Sequence, residues 1–86
     1  MALFGIDRSP ELPLTLAEHR ELSRELRSTK ARLRELRKLI AGIYGSNNRA
    51  VFEFAKAIES MERLSTDMKE QATRDFPGSS VDHLYS

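Results

Sequence analysis

The sequence predicts an all-α fold: an antiparallel two-helix hairpin, coiled-coil-like, completed by dimerisation into a four-helix bundle. Two long stretches carry apolar residues at heptad spacing, and a Gly-Ser-Asn-Asn turn at 45–48 separates them. Folding the chain at Asn47 then sets the apolar positions of one stretch opposite those of the other. On this reading residues 1–13 form an N-terminal tail, 14–75 the hairpin and 76–86 a C-terminal tail.

The first helix spans about 15–44. Thr15 and Glu18 have the spacing of a capping box, which satisfies two free amides at a helix start. Pro13 keeps the helix from growing backwards. Gly42 is the only helix-weakening residue before the turn, at a cost of about 1 kcal/mol. Gly45 suits a left-handed C-terminal cap, and Ser46, Asn47 or Asn48 can cap the next helix. That second helix spans about 49–74 and is stopped by Phe76-Pro77-Gly78.

The seam of the first helix reads His19, Leu22, Leu26, Thr29, Leu33, Leu36, Ile40, Ile43. That of the second reads Val51, Phe54, Ile58, Met61, Ser65, Met68, Ala72, Asp75. Pairing residues equidistant from Asn47 puts Ile43 with Val51, Ile40 with Phe54, Leu36 with Ile58 and Leu33 with Met61. The two hydroxyl residues, Thr29 and Ser65, then share one layer, and His19 meets Asp75 at the open end. Matched polar layers penalise slipped registers, because an unpartnered buried polar group costs roughly 1–3 kcal/mol. Phe54, Met61 and Met68 are expected as plain core.

The apolar stripe is wider than one seam. Leu39, Ala57 and Leu64 lie beside it, while Tyr44 and Phe52 point elsewhere near the turn, where Phe52 is either covered by the N-terminal tail or offered to a partner. One two-helix seam only about offsets the roughly 1.5 kcal/mol per residue of ordering entropy, so a further surface has to be covered. A homodimer does this, as does a helical partner protein or, less completely, the two tails folding back. Leu39, Tyr44, Phe52 and Leu64 are the candidate partner-binding residues. Leu3, Phe4 and Ile6 of the first tail, and Val81, Leu84 and Tyr85 of the second, have the composition of short docking segments.

Between Arg24 and Lys38 stand seven basic residues and two acids. Arg20, Arg27 and Arg34 recur at heptad spacing on one line of roughly 21 Å, the candidate contacts for phosphates or an acidic partner. The net charge of the 86-residue chain is only +1, so no global field selects nucleic acid. The run lacks interleaved aromatics and a basic tail, and outer heptad positions are charged in any solvated coiled coil.

Catalytic material is sparse. His19 and His83 stand at opposite ends, no pair has metal-ligand spacing, no glycine-rich phosphate loop is present, and there is no cysteine. Ser9-Pro10 and Ser79-Ser80 are weak modification patterns. The start, MALFGIDRSPELPL, has no signal-peptide pattern, and nowhere do apolar residues run to membrane-spanning length. The sequence thus points to a soluble, cytoplasmic, non-enzymatic protein-protein interaction module that uses no cofactor and no metal: an adaptor, chaperone-like protein, inhibitor or assembly subunit. The alternative is a small nucleic-acid-binding protein using the basic face of the first helix.

Overall fold

Thr15 decides where the first helix begins. In the computed structural model, which describes residues 13–78, 81 and 83–85, its Oγ1 accepts from the Glu18 N–H at 3.1 Å. The Glu18 carboxylate in turn accepts from the Thr15 N–H at 2.8 Å. The capping box is therefore complete, and α1 runs Leu16–Tyr44. Apart from Pro13, the expected N-terminal tail with Leu3, Phe4, Ile6 and Ser9-Pro10 lies outside the described residues, as does Ser79-Ser80.

Gly45 ends α1 at φ +94°, a region that L side chains rarely adopt, and its N–H donates to the Ala41 carbonyl at 2.9 Å. Asn48 then opens α2, Arg49–Asp75, with its side-chain oxygen accepting from the Ala50 N–H at 2.8 Å. The two helices pack against each other as an antiparallel hairpin, and no strand occurs among the described residues. The long axis measures 46 Å, close to the roughly 44 Å expected of α1's 29 residues. The helices therefore lie alongside each other over their whole length.

Burial is uneven across the seam. On α2 the buried residues are Val51, Ile58, Ser65 and Ala72, a strict repeat of seven. Phe54, Met61 and Met68, the seam positions between them, are only half-buried. On α1 the seam residues Leu26, Leu33, Leu36 and Ile40 are half-buried, while Thr29 and Ile43 are exposed. The expected Thr29–Ser65 layer does not form as a hydroxyl pair: Ser65 is buried and Thr29 faces out. Lys30 is half-buried where Thr29 was expected. Residues three apart on a helix point about 60° apart, so a contact centred on one seam set leaves the alternate set at its edge. Lysine tolerates such a place because its stem packs while its ammonium stays wet.

The segment after Pro77, expected as a tail, returns to the hairpin. Val81, Leu84 and Tyr85 are buried with Ala72, and Leu16, Leu22, Leu26, Met68 and Phe76 pack around them. This C-terminal strap closes the open end of the hairpin. The end near the turn has no equivalent cover among the described residues.

Candidate interaction surfaces

The strap is held through one buried histidine. His19 has no exposed surface, and its ring sits between α2 and the strap. Its Nε2 lies 2.9 Å from an Asp75 carboxylate oxygen and its Nδ1 lies 2.8 Å from the Tyr85 hydroxyl. A carboxylate only accepts, so Nε2–H donates to Asp75; in the neutral ring Nδ1 then accepts from the Tyr85 O–H. Gln71 donates to the other Asp75 oxygen at 2.8 Å, and the Tyr85 N–H donates to Ser23 Oγ at 2.8 Å. Phe76 and Tyr85 both meet the imidazole edge-on, with centroids 6.0 and 5.9 Å away. The expected meeting of His19 with Asp75 is thus present. Tyr85 and Ser23 were not expected there, and the only trace in the sequence is the apolar triplet Val81, Leu84 and Tyr85.

The Asp75–His19–Tyr85 chain clasps the strap to the hairpin. The hydrogen bond from His19, reinforced by Gln71 and by the nearby positive charge, outweighs burial and holds the Asp75 carboxyl below its usual range. Burial, and secondarily the Asp75 charge, pushes the Tyr85 phenol up to about 12. A phenol so shifted holds its proton at neutral pH and donates it to the imidazole. Among the described residues no group of three potential ligands stands ready for a metal ion, and no helix is long and apolar enough to cross a membrane.

Two broad faces remain, one on each side of the hairpin plane. Helical geometry turns Leu33, Leu36, Leu39, Ile40 and Ile43 of α1 to the same side as Ala50, Phe54, Ala57, Met61 and Leu64 of α2. Leu33, Ala50, Phe54 and Ala57 line an open apolar depression there, with Glu53 its one charged wall. Leu39 and Ile43, at 55% and 62% exposed, and Leu64, at 43%, extend this leucine face on both edges. Its span from Leu64 to Ala50 is roughly 21 Å along α2.

The opposite face is basic. Arg20 and Arg27 lie beside the strap, where they share a small polar cleft with Ser23, Arg24, His83 and Leu84. Arg34 is engaged across the hairpin, 3.4 Å from the Glu62 carboxylate. The three-arginine line therefore exists as a surface, but its third member is already paired. Beyond it, near the turn, Ala41, Val51, Phe52 and Ala55 form a shallow groove walled by Arg37 and Lys38 and closed by Ser46.

The four candidate partner-binding residues consequently do not form one patch. Leu39 and Leu64 border the leucine face, Phe52 belongs to the basic face, and Tyr44 stands exposed at the end of α1. The chain matches no protein-family model, and no curated protein or solved structure is significantly similar to it.

Proposed function

We propose that this chain is a non-enzymatic protein-protein interaction module whose leucine face packs on a second copy to complete a four-helix bundle. The observation that carries this reading is the off-centre seam. Val51, Ile58 and Ser65 are buried between the two helices, while the alternate positions Leu36, Ile43, Phe54 and Met61 open onto one face with Leu39 and Leu64 beside them. Heptad residues that are left half-covered in a hairpin are the ones a bundle core takes up. A second copy presents the same nearly uncharged face, which suits an isologous two-fold contact. Adaptor, chaperone-like, inhibitor and assembly-subunit roles all rest on such helix-face packing.

Sedimentation equilibrium tests it. The chain should run as a dimer, and Leu39→Glu combined with Leu64→Glu should convert it to a monomer that keeps its helical circular dichroism, since both side chains are exposed. A wild-type chain that stays monomeric at high micromolar concentration overturns the dimer. A steep, salt-sensitive affinity for DNA or RNA that is lost on changing Arg20, Arg27 and Arg34 to Gln replaces the whole reading with the nucleic-acid one. The pairing of Arg34 with Glu62 weighs against that outcome, because a guanidinium already facing a carboxylate is a weaker phosphate contact.

A further inference from the structure

We infer that the groove at the turn end of the basic face docks an acidic amphipathic helix from another protein. Its floor is made of small or buried apolar residues, Ala41, Val51 and Ala55, and one side is the ring of Phe52, 58% exposed. An aromatic ring beside a floor of alanines is a seat for an apolar side chain, because the missing bulk lets a partner helix approach.

The charge around this seat selects the partner's sign. Arg37 and Lys38 stand on its α1 wall, and neither makes an ion pair with a described residue. The α2 acids on this side are already engaged, Glu59 with Arg63 at 4.0 Å and Glu62 with Arg34 at 3.4 Å, and Glu53 belongs to the leucine face. The groove thus offers two uncommitted cations, and neither of those two carboxylates is uncommitted. A helix bearing Glu or Asp one turn from an apolar anchor complements both features.

The C-terminal strap is not its occupant. The strap is occupied at the far end, where Val81, Leu84 and Tyr85 are buried. This inference does not depend on self-association, which uses the other face.

Fluorescence anisotropy with a labelled synthetic Leu/Glu amphipathic peptide, its Leu/Lys counterpart and phosphatidylserine vesicles tests the groove on the full chain. The acidic peptide should bind at least about tenfold tighter than the basic one. Phe52→Ala, and Arg37→Gln with Lys38→Gln, should each weaken it about tenfold or more while melting curves stay unchanged. The Leu39→Glu, Leu64→Glu variant should keep that affinity even as it becomes a monomer. Equal binding of both peptides overturns the inference. So does loss of binding in the leucine-face variant but not in Phe52→Ala, and so does a preference for the vesicles over the acidic peptide.

Discussion

At Tyr85 one side chain couples packing to protonation. Its phenol titrates at about 12 in the folded chain, against 10.0 for the ordinary group. A group raised on folding contributes fully below its unfolded value, so the strap keeps this contribution below pH 10 and loses it as the pH climbs towards 12. In a Tyr44→Phe background, phenolate absorbance should report a single group titrating near 12, together with loss of strap packing. Asp75 acts in the opposite sense. Its carboxyl is lowered from 3.8, so its contribution is whole above that value and fades as pH falls through the lower folded one. Replacing Tyr85 with Phe strands the buried His19 Nδ1, and chemical denaturation should show a loss of about 1–3 kcal/mol. Tyr85 also sits at φ +61°, an uncommon place for a bulky residue. Its bonds to His19 and Ser23 hold it there.

At the level of the helices, the two glycines near the turn have opposite meanings. A methyl added at Gly42 meets nothing within 4 Å, and the residue lies inside α1 on the outward side. Gly42→Ala should therefore raise stability by about 0.5–1 kcal/mol in thermal or urea unfolding. Gly45 also has open space, yet its φ of +94° penalises any side chain. Gly45→Ala should lower stability by about 1–2 kcal/mol, and opposite shifts of the two melting temperatures are the check. These elements were legible in the sequence because their causes are local. Thr15 with Glu18, Gly45, Asn48 and the stop at Phe76-Pro77-Gly78 each act within a few residues. The meeting of His19 with Asp75 was legible too, since a hairpin pivot fixes which residues face each other. The hydroxyl layer was not. Whether Thr29 points into the contact or beside it depends on a rotation of a few tens of degrees, which a repeat of seven does not specify.

For the molecule as a whole, polarity is the main result: one end is sealed by the chain's own strap, and the other presents apolar surface that no described residue covers. Neither the strap nor the split between leucine face and Phe52 groove could be read from composition. Val81, Leu84 and Tyr85 form a short, non-periodic set, and their burial arises only where the hairpin offers Ala72, Phe76 and His19 together. The dimer expectation makes a further demand on this end. Because the strap contacts lie away from Leu39 and Leu64, truncation after Gly78 should loosen the sealed end but leave sedimentation as a dimer. Conversion to a monomer on truncation would mean the strap itself bridges two copies.

The His19–Tyr85 bond joins residues 66 positions apart, whereas the contacts around Gly45 and Asn48 join near neighbours. Closing a loop that long costs conformational entropy that short-range contacts do not incur, so zipping should proceed from the turn, with the strap docking last. In stopped-flow refolding, Tyr85→Phe should accordingly leave the folding rate almost unchanged and speed unfolding, whereas Ile58→Ala, in the helix contact that forms first, should slow folding. The clasp at the open end then governs how long the native hairpin lasts rather than how quickly it forms.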